Sequence, residues 1–143
     1  KPVDGGSSFG ITRVEKESEL TDAVKLALKH GTQAIVESFM SGREVTNGIY
    51  KGINGIKVLP ITEIVTNNSF FDFDAKYKGE SEEITPADLP IELEQKIKTK
   101  TKRIYELLGL DGICRADYII QGDEPYLIEI NTVPGMSDAS LIP

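Results

Sequence analysis

The chain is poor in several residue types, and each shortage narrows what the protein can be. It has no tryptophan, two methionines, one histidine and a single cysteine among 143 residues. One cysteine, Cys114, cannot form an internal disulfide, which fits a reducing compartment such as the cytoplasm. No apolar run reaches the roughly 18 residues that a membrane span needs, and no signal peptide is visible. We therefore expect a cytoplasmic protein with no membrane partner.

Basic residues are also in short supply. The chain has 16 Lys and Arg against 23 Asp and Glu, and its formal net charge is −7. No basic block overrides that charge, so a nucleic-acid partner is not expected. At 143 residues the chain has the length of a single domain and is long enough to form a hydrophobic core. It begins with Lys-Pro rather than Met, and we expect it to be part of a longer protein.

What the chain does have is a group of polar residues set into two apolar runs near its end. Arg115 and Asp117 are two apart in one run, and Glu129 and Asn131 are two apart in the next. On β-strands, each pair would share one face. Carboxylate and amide oxygens are ligands that Mg²⁺ takes together with phosphate oxygens. With Gly135 following, the layout indicates a place for phosphate, metal and a developing oxyanion.

Elsewhere the chain alternates strand and helix patterns without repeats. Apolar spacing predicts one helix capped by Ser18 and another over 91–108. The second helix should bury a stripe of Leu93, Ile97, Ile104 and Leu108. Strands are predicted at 11–14, 33–40, 44–51, 56–59, 61–65, 113–120 and 125–131. Asn54-Gly55 is a hairpin signal, and the aperiodic stretch 66–90 predicts a long functional loop. The pattern indicates an α+β or α/β domain with mainly antiparallel sheet.

Each candidate residue also has an interpretation in which it has no functional role. The segment from Gly5 to Gly10 lacks the spacing of a Walker loop, so it is either a phosphate-binding loop or a flexible turn. Lys1 and Lys76, taken singly, are ordinary surface lysines. The carboxylates differ, because a charged side chain on an apolar strand is costly unless it is paired or bound to metal.

The metal hypothesis makes a geometric prediction. Asp117 and Glu129 must lie on the same face of adjacent strands. A regular two-residue turn at Gly122-Asp123 would pair Ala116 with Glu129 and direct Asp117 to the other face. We therefore predict either an odd-length loop with Gly122 at positive φ, or a β-bulge in the hairpin.

Five segments, in this order, resemble the ATP-grasp family, and within it the C-terminal part of the D-alanine–D-alanine ligases. They are Lys1-Pro2 with the Gly-Ser-Ser loop, Val36-Glu37-Ser-Phe-Met-Ser-Gly42-Arg-Glu44, Ala75-Lys76-Tyr77, Cys114-Arg115-Ala-Asp117, and Glu129-Ile-Asn-Thr-Val-Pro-Gly-Met with Ser140-Leu141. The resemblance implies an ATP-grasp fold, in which two α+β subdomains grip the nucleotide. Residues 1–44 would belong to the smaller subdomain, and 45–143 would form the larger, catalytic one.

The resemblance also implies a reaction, the ligation of two D-alanines to D-alanyl-D-alanine for peptidoglycan precursor synthesis. The carboxylate of one D-alanine would attack the γ-phosphate of ATP, and the amine of the second would displace phosphate from the acyl phosphate. The implied cofactors are ATP and two Mg²⁺ ions, or Mn²⁺. The implied setting is the bacterial cytoplasm, with a homodimeric parent protein.

Roles for individual residues follow from the same resemblance. The metal ligands are matched by Asp117, Glu129 and Asn131. The oxyanion hole is matched by Arg115 and the backbone N–H of Gly135. Nucleotide contacts are matched by Lys1, Glu37, Ser38, Phe39, Met40, Glu44 and Lys76, the last beside the transferred phosphoryl group. Contacts to the second substrate are matched by Ser140 and Leu141, and a lid-closing pair by Ser7 and Tyr77.

Three alternatives stay open. The second substrate could be D-serine or D-lactate, although Tyr77 weighs against D-lactate. The chain could be a non-catalytic ATP-grasp module that binds nucleotide as a regulator, or a metal-dependent phosphate-ester hydrolase. In the family, an N-terminal domain supplies a glutamate near the first D-alanine and a further ATP-contacting lysine. We therefore expect the chain by itself to be inactive in dipeptide synthesis.

Overall fold

The computed structural model describes residues 1–4, 8–66 and 81–136, and the chain divides into two compact units. The first unit contains Lys1–Met40, and the second contains Ser41–Val65 and the described residues from Ser81 onward. The subdomain boundary expected after residue 44 stays a prediction.

Among its described residues, the first unit contains one α-helix and a short antiparallel contact. Pro2 and Ala34 form a β-bridge, beside which the Val3 N–H donates to the Gln33 carbonyl at 3.1 Å. A 3₁₀ turn, Glu17–Glu19, leads into helix α1, Leu20–Ala27.

Three local predictions for this unit are wrong. Ser18 lies inside the 3₁₀ turn and does not cap the helix. Instead, the Glu19 carboxylate accepts the backbone N–H groups of Glu15 and Lys16, at 3.1 and 3.3 Å. Residues 11–14 form no strand, and 33–40 form a single bridge on a mostly exposed segment rather than a buried strand. An apolar run becomes a strand only where a neighbouring strand satisfies its backbone, and within the described residues the Pro2 segment alone does so.

As far as its described residues go, the second unit is a five-stranded sheet with one helix. The strands are β1 Arg43–Gly52, β2 Gly55–Thr66, β3 Ser81–Ile84, β4 Ile113–Gln121 and β5 Glu124–Asn131, in the order β3-β2-β1-β4-β5. Pairings β1–β2, β1–β4 and β4–β5 are antiparallel, as the sequence predicted. Strand β3 lies within the stretch expected to be loop. Residues 67–80 of that stretch lie outside the described residues.

The first hairpin of the sheet confirms the Asn-Gly prediction. Gly52 pairs with Gly55 across a two-residue turn, and Gly55 has a φ of +95°. The two runs predicted on either side of Pro60 form one strand, β2. The register between β1 and β2 shifts after Asn47 of β1, and the side-chain amide of Asn47 donates to the Leu59 carbonyl at 2.8 Å. A proline N cannot donate to the ladder, so this irregularity accommodates Pro60 within a long strand.

Helix α2, Ile91–Leu107, covers one face of the sheet, but its buried stripe differs from the predicted one. Its buried residues are Leu93, Ile97, Thr101 and Tyr105, whereas Leu108 is exposed. Thr101 and Tyr105 can be buried because both of their hydroxyl groups have hydrogen-bond partners. Thr101 Oγ1 bonds the Ile97 carbonyl and the Tyr118 hydroxyl, and Tyr105 donates to the Gly112 carbonyl at 2.7 Å. Neither helix in the described ranges is long and apolar enough to span a membrane.

Alternation along β4 divides the unit into a core and a polar face. Burial alternates residue by residue from Ile113 to Ile120. The inward residues join two apolar clusters under α2, one of Val45, Ile61, Leu93, Ile97, Ala116, Tyr118 and Ile120, the other of Ile49, Tyr105 and Cys114. Cys114, the single cysteine, is fully buried in the second cluster. Arg115 and Asp117 therefore lie on the opposite face of the sheet.

Candidate functional site

The β4–β5 hairpin carries the bulge that the metal hypothesis required. Gln121 pairs with Glu124 across a two-residue turn whose first residue, Gly122, has a φ of +59°, as a type II′ turn requires. The register then shifts on β5, and Ile128 is the extra residue. As a result Asp117 pairs with Glu129, and Arg115 pairs with Asn131. The bulge form of the prediction is confirmed, and the odd-length loop does not occur.

The Asp117 carboxylate is the centre of a hydrogen-bond cluster on this face. Its Oδ1 accepts Thr46 Oγ1 at 2.7 Å and Arg115 Nε at 2.8 Å. Its Oδ2 accepts Arg115 Nη2 and Asn131 Nδ2, both at 2.9 Å. A carboxylate offers about four acceptor sites, so the described donors occupy all of them. These partners offset the cost of placing a carboxylate that is only 16% exposed on the sheet.

Asn131 joins Asp117 to the second carboxylate. Its Nδ2 lies 2.9 Å from Asp117 Oδ2 and 3.3 Å from Glu129 Oε1. Two carboxylate oxygens thus converge on one partially positive N–H₂ group. A cation would be attracted to the same place, and a half-turn of the Asn131 amide would present its oxygen there instead.

The donor set fits a magnesium ion that is shared with phosphate. Within the described residues, no group of three or more His, Cys, Asp or Glu side chains could hold a metal by itself. Asp117, Glu129 and the Asn131 amide offer two carboxylates and one neutral oxygen. Mg²⁺ is commonly held by one or two carboxylates plus phosphates and water, so the remaining ligands would have to come from a phosphorylated substrate.

Arg115 places a fixed positive charge beside these acids. Burial of the guanidinium, its largest influence, lowers the Arg115 pKa. The hydrogen bonds and charge of Asp117, with the charges of Glu129 and Glu44, outweigh burial and raise the pKa above its ordinary value. The guanidinium uses Nε and Nη2 on Asp117. Of its five N–H donors, the other three have no hydrogen-bond partner within residues 1–4, 8–66 and 81–136, and they could donate to another anion.

Glu44 lies on the same face, further along β1. It pairs with Ile119 of β4, two positions from the pair Thr46 and Asp117. Glu44 is partly buried, and its charge raises the pKa of Arg115. Glu44, which the resemblance assigns to the nucleotide, thus shares the sheet face of the metal-ligand candidates.

The remaining nucleotide candidates lie in the first unit. Lys1 Nζ forms an ion pair with Glu37 Oε2 at 2.6 Å, with the two side chains 29% and 50% exposed. The Arg13 guanidinium lies over the Phe39 ring, with Arg13 Cζ 4.2 Å from the ring centroid. Ser38 is exposed and Met40 is partly buried. This segment follows the bridge at Ala34, which leaves its backbone groups outside any strand.

The other predicted site residues lie after β5 or outside the described residues. Gly135 is exposed in the segment after β5. Five candidates lie outside the described residues, namely Ser7, Lys76, Tyr77, Ser140 and Leu141. The lid closed by Ser7 and Tyr77 therefore stays a prediction.

One residue of the cluster, Thr46, was absent from the candidates predicted from the sequence. It is 3% exposed and meets Asp117 across the β1–β4 pairing, 71 residues away in sequence. The available signal was its place two residues after Glu44, which puts both on one face of a strand.

Comparison with known proteins gives a consistent result. The profile of the family described as D-ala D-ala ligase C-terminus matches residues 1–143. A D-alanine–D-alanine ligase from Parabacteroides distasonis is 53% identical over 144 residues, covering 100% of this chain and 44% of that protein. The chain therefore spans less than half the length of the curated relatives it matches.

Two solved structures share the fold along the chain. The VanG D-Ala:D-Ser ligase from Enterococcus faecalis matches with a TM-score of 0.83 and 37% identity, over 100% of this chain and 42% of that one. The D-alanine–D-alanine ligase from Bacillus anthracis, complexed with ATP, matches with a TM-score of 0.80 and 29% identity, over 100% and 43%.

Proposed function

Because this chain belongs to the D-alanine–D-alanine ligase C-terminal family, with its ATP-grasp fold, we propose that the full-length protein joins two D-alanines in a reaction driven by ATP and Mg²⁺. The product would be D-alanyl-D-alanine for peptidoglycan precursors, made in the bacterial cytoplasm, and the protein would be a homodimer. The observation that carries the proposal is the cluster in which Asp117, Glu129 and Asn131 converge beside Arg115.

The acidic half of the cluster suits phosphate transfer. Asp117, Glu129 and Asn131 would hold Mg²⁺, or Mn²⁺, and the ions would neutralise charge on the ATP phosphates. Their fixed spacing is supported by the antiparallel pairing of β4 with β5. Two acids and an amide would hold the ion without a complete protein cage, so metal and nucleotide would bind together.

The basic half suits the second step. When an amine attacks the activated carboxyl group, negative charge builds up on one oxygen. The three N–H groups that Arg115 does not use on Asp117 could donate to that oxygen, together with the backbone N–H of Gly135. Because Asp117 fixes the guanidinium in advance, little reorganisation would be needed when the charge develops.

The first unit would supply the nucleotide contacts. Lys1 is paired with Glu37 at 2.6 Å, so a phosphate could compete for its ammonium group. The exposed backbone of 37–40 could read the adenine edge, and Glu44 of the second unit could accept the ribose hydroxyls. Lys76 would act beside the transferred phosphoryl group, and Ser140 and Leu141 at the second substrate. Ser7 and Tyr77 would close the lid.

One alternative has an observation in its favour. The VanG structure, a D-Ala:D-Ser ligase, matches the whole chain at a TM-score of 0.83. The more identical relatives carry the D-alanine–D-alanine name, so D-alanine is the preferred second substrate. Supplying D-alanine and D-serine together and separating the products by mass spectrometry would distinguish the two.

The proposal is tested on the full-length protein by phosphate release from ATP. We expect release that requires D-alanine and Mg²⁺ together, with one dipeptide formed per phosphate. L-alanine is the matched control and should give no product. Phosphate release without dipeptide would favour a hydrolase, and nucleotide binding with no turnover would favour a regulatory module.

A further inference from the structure

Thr46 is buried in the middle of β1, yet its hydroxyl points to the candidate metal site. The side chain is 3% exposed, and Oγ1 lies 2.7 Å from Asp117 Oδ1. The strands β1 and β4 pair without interruption from Arg43 to Tyr50, with Thr46 opposite Asp117. The hydroxyl is therefore presented by a strand that is paired with the strand of Asp117, rather than by a loop.

The cluster divides the two oxygens of Asp117 between different tasks. Oδ1 accepts from Thr46 and Arg115, whereas Oδ2 accepts from Arg115 and from Asn131, whose amide also reaches Glu129. Only Oδ2 is thus turned to the side where the second carboxylate lies. Arg115 and Asn131 have proposed tasks of their own in the reaction. Thr46 has none, and its single hydroxyl hydrogen is committed to Oδ1.

On this basis, and resting on the proposed function, we propose that Thr46 is a positioning residue for the divalent cation. Its hydroxyl holds Oδ1 of Asp117, so that Oδ2 stays directed to Glu129 and the ion. A threonine suits this task because its branched β-carbon restricts χ1, which keeps the hydroxyl aimed at one place. Hydrogen-bond partners of ligating carboxylates typically change metal affinity by about 10- to 100-fold when they are removed.

The test compares Thr46→Val, which removes the hydroxyl but keeps the shape, with Thr46→Ser, which keeps the hydroxyl. Both are made in the full-length protein. Mn²⁺ affinity is measured from the electron paramagnetic resonance signal of free Mn²⁺, with a non-hydrolysable ATP analogue present. We expect Thr46→Val to weaken Mn²⁺ binding by about 10-fold or more and Thr46→Ser to stay within about 3-fold of wild type. The same order should appear in the Mg²⁺ concentration that gives half-maximal turnover.

Thr62→Val is the matched control. Thr62 is also buried and pairs directly with Thr46 on β2, but its hydroxyl bonds Thr85 at 2.6 Å and not a carboxylate. This variant should bind Mn²⁺ like wild type, which separates a metal effect from a general packing effect. If Thr46→Val proves unfolded by circular dichroism, Thr46→Ala removes the same hydroxyl with less bulk.

Wild-type Mn²⁺ affinity in a folded variant without the hydroxyl would overturn the positioning role, and so would equal losses in Thr46→Val and Thr62→Val. Either result would leave the ligase proposal intact, because that depends on dipeptide formation by the wild-type protein. Failure of the wild type to form dipeptide would count against the ligase instead.

Discussion

The bidentate pair between Arg115 and Asp117 allows a prediction that two independent measurements, of stability and of turnover, can test. Arg115→Ala removes two hydrogen bonds, at 2.8 and 2.9 Å, from a pair whose side chains are 15% and 16% exposed. It also removes the donor proposed for the oxyanion. Stability and turnover should therefore both fall, but for different reasons.

The loss of stability can be bounded from the geometry. Hydrogen bonds to charged groups contribute about 1.5–3 kcal/mol each, and burial leaves water little access to this pair. Asp117 would keep Thr46 and Asn131 as partners after Arg115 is removed, which limits the cost. We expect Arg115→Ala to lower the free energy of unfolding by about 2–3 kcal/mol. In a double-mutant cycle with Asp117→Asn, the coupling energy should be about 2 kcal/mol.

The loss of turnover should be larger than destabilisation explains. Removing one oxyanion donor typically costs about 100- to 1000-fold in kcat. Urea denaturation of the full-length protein gives the first quantity, and dipeptide formation at saturating ATP and D-alanine gives the second. Near-normal turnover in a folded Arg115→Ala variant would refute the oxyanion role. A coupling energy below about 0.5 kcal/mol would refute the structural pair.

Three further predictions concern the rest of the chain. Hydrogen bonds from Arg43 lower the pKa of Glu63. The pair therefore contributes its full stability above the ordinary glutamate pKa of about 4.3. This contribution is lost as the pH falls through the lowered pKa of Glu63. In urea denaturation, Arg43→Met should therefore cost about 1 kcal/mol more at neutral pH than at a pH below the lowered pKa, where the mutation removes only the hydrogen bond from Arg43 Nη2 to the Asp88 carbonyl. A cost independent of pH would contradict this. Gly42→Ala should lower the free energy of unfolding by about 1–3 kcal/mol or more in the same assay, because the new Cβ would lie 2.2 Å from the Ile120 carbonyl oxygen. An unchanged unfolding midpoint would contradict the strand geometry. Residues 1–143 alone should give no dipeptide detectable by mass spectrometry under conditions in which the full-length protein does. Product from the short chain would contradict the expectation that it is inactive by itself.

The part of the site that the sequence predicted best depends on simple counting. Side chains alternate along a strand, so the spacing of Asp117 and Glu129 demanded either an odd loop or an extra residue. The structure places that extra residue at Ile128. The chain between Asp117 and Glu129 is short, and few arrangements could satisfy the requirement.

Features that depend on distant contacts were harder to predict. Thr101 and Tyr105 were not expected in the buried stripe of α2, because apolar periodicity treats a hydroxyl as polar whether or not it has a partner. Their partners, Tyr118 and Gly112, become visible only in the folded sheet. Thr46 was missed for the same reason, since Asp117 lies 71 residues further along the chain. In the first unit, apolar runs at 11–14 and 33–40 suggested strands, but periodicity could not tell whether neighbouring strands would be present.

The location of the bulge has a consequence for how the site tolerates change. It lies on β5, whereas β1 and β4 pair without interruption. A one-residue slip between β1 and β4 would exchange Arg115 and Asp117 with the buried Cys114 and Ala116, so the apolar core itself opposes such a slip. No comparable burial acts on the exposed residues 126–128 of β5. Asp117 is therefore positioned by the core, whereas Glu129 and Asn131 depend on the hairpin and its bulge. Substitutions around Ile128 should disturb metal binding more than they disturb folding.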